Sequence, residues 1–140
     1  MKISKENLLA ELNKDLEWEY AAAIQYVQHA AVITGAKYES ISKELLVHAQ
    51  EELQHATMVA EQIDFLGGTP TVDVERRDIA EDSLEMLKQD LWGEDNAIDR
   101  YKERIAQAEE LREYGLRRVV EDILIQEQEH KRDLTTAIED

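Results

Sequence analysis

At 140 residues the chain is long enough to bury a hydrophobic core. Its 34% charged and 43% hydrophobic residues, with five glycines and one proline, favour long amphipathic helices over sheet. A formal net charge of -16 excludes electrostatic partnership with nucleic acid or an anionic membrane surface, and the lack of cysteine excludes disulfides, thiolate metal sites, iron–sulfur clusters and cysteine nucleophiles. No apolar run reaches the roughly 18 residues of a membrane span, and the first residues have no apolar signal region, so a cytoplasmic protein without a membrane partner is expected.

The first helix is expected from Ser4 to Ile33, stopped by Gly35. After a short link the second runs from Ser40 to Leu66 and is closed by Gly67, Gly68 and Pro70, the last of which cannot continue a helix. Residues 69–77 form the long connection, and Asp78 with Glu81 reads as a capping box opening a third helix that ends near Glu110. The fourth spans Glu113 to Ile138. Short links make each consecutive pair an antiparallel hairpin, and the long connection lets the second hairpin dock along the first. The expected fold is all-α: a single domain over residues 1–140, an antiparallel four-helix bundle of two hairpins joined by a crossover.

Each helix has a polar residue inside its apolar stripe. Glu19 follows Leu12 and Leu16 and precedes Ala23 and Tyr26. His48, Glu52 and His55 lie between Ile41, Leu45 and Val59. Glu94 lies between Leu91 and Ile98, and Glu127 and His130 lie between Ile123 and Leu134. These steps of three and four place the polar groups on faces that should be buried. The pattern also repeats, since Glu52 follows Glu19 by 33 positions, Glu127 follows Glu94 by 33, and each is followed three residues later by a histidine. An offset of 75 carries Glu19, Glu52, His55 and Tyr26 onto Glu94, Glu127, His130 and Tyr101. Folding each hairpin back on itself brings all six ligand-type residues into one layer.

Four ionised carboxylates in a dry layer repel one another and lose hydration, whereas two divalent cations cancel their charge. Carboxylates with two neutral imidazoles suit iron, with manganese as the alternative, better than a closed structural zinc site. Tyr26 and Tyr101 fit core packing or a redox role equally. His48 fits either a satisfied core histidine or a donor or transient iron site beside the ligands, and His29 has no evident partner. Trp18, Trp92 and the stripe Leu46, Ala49, Leu53, Ala56, Ala60 and Ile63 suggest a second buried face, which a homodimer or larger homo-oligomer would supply.

On these residues the sequence resembles the ferritin-like di-iron carboxylate proteins, bacterioferritin above all. The resemblance implies that Glu52 and Glu127 bridge two iron ions, that Glu19 and Glu94 are terminal carboxylates, and that His55 and His130 each give one nitrogen. It implies a ferroxidase that oxidises Fe(II) with O2 or H2O2 in iron storage or detoxification. A rubrerythrin-like peroxide-reducing protein and a dimanganese catalase-like enzyme are the alternatives. Leu53 stands where bacterioferritins carry a haem-ligating methionine, so haem is not expected. The chain runs ten residues past His130, and the fifth helix of bacterioferritin cages is not expected. Rubrerythrins usually place a further glutamate where this chain has Ala97, and carry a cysteine-rich domain.

Overall fold

The computed structural model describes residues 2–139 as four long helices: α1 Lys5–Val32, α2 Glu39–Phe65, α3 Ser83–Glu110 and α4 Tyr114–Glu139. The Ser4 hydroxyl caps α1 by accepting from the Asn7 amide at 3.1 Å. A 3-10 turn at Ala36–Tyr38 leads into α2, and Gly35 takes a φ of 108° at that corner. The end of α2 is closed by Gly67, at φ 93°, and by the Gly68 amide donating to the Ile63 carbonyl at 2.9 Å.

The expected start of the third helix is corrected. Asp78 and Glu81 form no cap; the cap is Asp82, whose Oδ2 accepts from the Glu85 amide at 3.1 Å. The crossover stays uncoiled because it is tied to its neighbours along the way. The Thr71 amide donates to Asn13 Oδ1 at 2.8 Å, and the Tyr20 hydroxyl donates to the Thr71 carbonyl. The Arg77 guanidinium donates to Gln25 Oε1 at 3.0 Å and to the Gln89 carbonyl at 3.3 Å. A helix begun at Asp78 would pull Arg77 out of that groove.

Helix α1 packs on α2 and on α3, and α4 packs on α3 and on α2. Paired side chains fix the directions. Asp15 meets Arg104 while Tyr26 meets Glu94, so α1 and α3 are antiparallel; His48 meets Asp133 while His55 meets Gln126, so α2 and α4 are antiparallel too. Apolar clusters fill both ends of the bundle. One contains Leu8, Leu12, Leu16, Ile63, Val120 and Ile123; the other contains Ile41, Leu45, Leu87 and Leu134. Each fully buried leucine or isoleucine contributes about 1.5–3 kcal/mol of transfer free energy. The two clusters hold the polar layer between them. No helix of the described residues is long and apolar enough to cross a membrane.

Candidate metal centre

The bundle brings all six expected residues together. Glu19 on α1, Glu52 and His55 on α2, Glu94 on α3, and Glu127 and His130 on α4 are each no more than 2% exposed. They form two overlapping sets, Glu19, Glu52, His55 and Glu127, and Glu52, Glu94, Glu127 and His130. Within each set the ligand atoms lie within 4.8 Å of one another. Glu52 and Glu127 belong to both sets. Both imidazoles turn Nδ1 inward: His55 Nδ1 lies 3.2 Å from Glu52 Oε1 and 3.4 Å from Glu127 Oε1, and His130 Nδ1 lies 3.4 Å from Glu52 Oε1 and 3.3 Å from Glu127 Oε1.

A buried polar atom without a partner is costly, and they concentrate here. Glu19 Oε2, Glu52 Oε1, Glu94 Oε2, both Glu127 oxygens and His55 Nδ1 have no hydrogen-bond partner among the described residues. This donor set of carboxylate oxygens and imidazole nitrogens fits hard to borderline divalent cations, so the residues present suit the expected metal pair.

The outward nitrogens of the two rings are held by one chain of contacts. His55 Nε2 donates to Gln126 Oε1, the Gln126 amide donates to Glu51 Oε2 at 2.9 Å, and His130 Nε2 donates to Glu51 Oε1 at 3.1 Å. Fixing Nε2 as the protonated nitrogen leaves Nδ1 as the lone pair facing the centre. The two tyrosines are also assigned: the Tyr26 hydroxyl donates to Glu94 Oε1 at 2.8 Å and the Tyr101 hydroxyl to Glu19 Oε1 at 2.5 Å. Each hairpin's tyrosine thus holds the buried glutamate on the first helix of the other hairpin.

Sequence reasoning missed a further layer of supports. His29 Nδ1 lies 2.8 Å from Asp90 Oδ2, both fully buried, and Asp15 accepts from Arg104 Nε at 2.7 Å and from Arg100 Nε at 3.0 Å. The signal was in the repeat, because the same offset of 75 carries Asp15 onto Asp90, His29 onto Arg104 and Glu51 onto Gln126. The two halves place equivalent polar pairs at equivalent depths.

Without metal, burial raises Glu19, Glu52 and Glu94, with the nearby Glu127 charge as the next cause, and Glu94 is pushed up to about 8. Burial acts on Glu127 in the same sense but is outweighed by the Glu52 carboxyl and the His130 and His55 rings close beside it, which favour its charged form and hold it below the carboxylate range. For His55 and His130, burial is outweighed by the glutamates crowded around Nδ1, Glu127 foremost, and both rings hold protons well above the histidine range. His48 goes the other way: burial first and the His130 charge second bring it down to about 4.

Between α1 and α3, a cleft of about 20 Å³ leads to the centre, lined by Trp18, Gln25, Arg77, Gly93 and Arg100 as well as the ligands. Trp18 and Trp92 pack with ring centroids 5.7 Å apart, and the Arg77 guanidinium lies 5.6 and 5.2 Å from them. Trp18 therefore belongs to the wall of this cleft, and the more exposed Trp92 packs against it from outside.

The ferritin-like domain family matches residues 9–140. A bacterial ferritin of Paramagnetospirillum magnetotacticum is 34% identical over 75% of this chain and 65% of its own length, just under two thirds. A bacterial ferritin of Synechocystis is 32% identical over 89% of this chain and 81% of its own. Among solved structures, the bundle superimposes on a ferritin-like diiron-carboxylate protein from Bacillus anthracis with a TM-score of 0.92, at 34% identity and 99% coverage of both chains. It also superimposes on a dodecameric thioferritin from Bacteroides fragilis with a TM-score of 0.90, at 31% identity, covering 98% of this chain and 87% of that one.

Proposed function

The chain belongs to the ferritin-like family, and on that premise we propose that its buried centre takes two Fe(II) ions as substrate and oxidises them. The observation that carries this reading is the pair of overlapping ligand sets sharing Glu52 and Glu127, with carboxylate oxygens left without protein partners. Glu19 and His55 would complete one position, Glu94 and His130 the other. Two Fe(II) each give one electron to the oxidant: hydrogen peroxide with two protons becomes two waters, or dioxygen with two protons becomes hydrogen peroxide. Four carboxylates favour the more highly charged ferric products over the ferrous substrates. The chain's own part is geometric and electrostatic. Glu51 and Gln126 hold the imidazoles with Nδ1 inward, Tyr26 and Tyr101 hold the terminal carboxylates, and loading displaces the protons that the metal-free centre retains.

The test is stopped-flow oxidation of anaerobic protein given about two Fe(II) per chain, with two ions being the number the paired ligand sets suggest. Oxidation should outrun that of free iron in the same buffer and lose the advantage in Glu52→Ala. Equal rates with and without protein defeat the ferroxidase reading. Anomalous scattering above and below the iron edge separates iron from manganese. For storage a closed shell is needed, and exposed Ile24, Val27, Leu46 and Leu53 along α1 and α2 offer an apolar face for a second copy. Sedimentation of a monomer at micromolar concentration would oppose that assembly.

A further inference from the structure

Beyond the dinuclear centre, we propose that Glu44, His48 and Asp133 form a third, mononuclear site for a borderline divalent cation such as Fe(II), Co(II) or Zn(II), at the α2–α4 edge. His48 is 1% exposed, and its Nε2 lies 3.1 Å from Asp133 Oδ2. One ligand atom from each of Glu44, His48 and Asp133 lies within 4.8 Å of the others. Glu44 and His48 are one turn apart on α2, and the two carboxylates are exposed, so small rotations can close them around an ion. One imidazole and two carboxylates, with water completing the shell, match the same cation class as the main centre.

The internal repeat makes the trio informative. The offset of 75 pairs polar groups with polar groups throughout the dinuclear layer and its supports, yet it carries Glu44 onto Val119, His48 onto Ile123 and Asp133 back onto Met58. Those three counterparts pack in an apolar cluster. An all-apolar version of the same corner therefore serves the fold in one half, and neither the bundle nor the main centre requires a buried histidine here. The hydrogen bond to Asp133 leaves His48 Nδ1 buried without a partner, so the ring is poorly explained as a satisfied core residue.

The position suits a cation in two further respects. The His48 ring stacks on His130, a ligand of the main centre, with centroids 4.0 Å apart. On the opposite side, the α1–α3 cleft is flanked by Arg77 and Arg100, which repel cations, whereas Glu51 continues the acidic character of the α2–α4 side. Lys37 and Arg132 rim the same cleft as Glu44 and Asp133 and keep the affinity moderate.

The experiment uses the full chain and Co(II), which does not oxidise under these conditions. Equilibrium dialysis counts ions per chain, and anomalous diffraction at the cobalt edge locates them. The expected result is a peak among Glu44, His48 and Asp133, resolved from the dinuclear pair, and a fall from about three ions per chain to about two in Glu44→Gln/Asp133→Asn, since removing two charged ligands empties a three-residue site. Both substitutions are at exposed positions, and thermal melting checks that the bundle is intact. No peak at the trio, whether or not the main centre fills, overturns the proposal, as does a peak that survives the double substitution. Loss of the dinuclear pair alone, in Glu127→Ala, leaves the third peak in place.

Discussion

Raising the pH of the metal-free protein from 6.5 to 7.5 should destabilise it. Glu94 keeps its proton in the folded state up to about 8 and releases it near 4.5 when unfolded. Its stabilising contribution is therefore complete below the unfolded value and is lost as pH rises toward the folded one. In the chosen window the folded protein holds about one proton more than the unfolded chain at this residue, which is about 1.4 kcal/mol per pH unit. For a chain of this size that is about 4 °C in Tm. His55 and His130, raised by their glutamate neighbours, lose stability in the same direction above pH 6.5. The two opposing groups are too small to reverse this in the window: His48, lowered to about 4, gains only its last few tenths of a kcal/mol, roughly 0.3, as the unfolded imidazole finishes titrating above 6.5, and Glu127, held below its usual range, has all but completed its gain by 6.5. Differential scanning calorimetry in EDTA reads the apo slope, and the same scan with Co(II) should show it abolished, because the ions have displaced the protons. Glu94→Gln should flatten the apo slope in part. An apo Tm that is level or rising from pH 6.5 to 7.5 refutes the electrostatic account of the centre.

Other substitutions probe the supports separately. Glu51→Ala removes the partner of His130 Nε2 and of Gln126 but no ligand, and metal affinity by titration should fall about 10–100-fold. Arg104→Met leaves the buried Asp15 carboxylate with Arg100 alone and should cost about 3 kcal/mol in urea unfolding, whereas Asp15→Leu together with Arg104→Met should cost far less. Tyr26→Phe and Tyr101→Phe each remove a hydroxyl that donates to a buried terminal carboxylate; each should cost about 1–2 kcal/mol in the metal-free protein, and the two costs should match because the sites are repeat-related. Clear inequality there would mean that the halves are not equivalent in energy.

Helix content, the hairpin order and the six-residue layer were legible because each rests on local periodicity and on a repeat visible at fixed spacing. The start of α3 was not. Asp78 and Glu81 have capping-box chemistry, but Arg77 is anchored between α1 and α3, and that tertiary restraint overrides the local signal. The pairing of His29 with Asp90 escaped for a different reason. Its counterpart is an arginine, Arg104, so a search for matching residue types passed over a match in charge and depth. The Glu51–Gln126 link is likewise a carboxylate matched with an amide, recognisable only once both ring nitrogens had been oriented.

The division of the ligands between the hairpins bears on how the chain reaches its native state. Each hairpin gathers local contacts and can form early, with only short loops to close. The first hairpin holds Glu19, Glu52 and His55 but needs Glu127 from the second, which in turn holds Glu94, Glu127 and His130 but needs Glu52 from the first. Bringing the two together presses like charges into one layer at the moment water leaves it. Docking is thus the step at which protons or divalent ions must be recruited, and on the proposed reading a cation held between Glu52 and Glu127 would act there as the clasp that closes one half of the chain on the other.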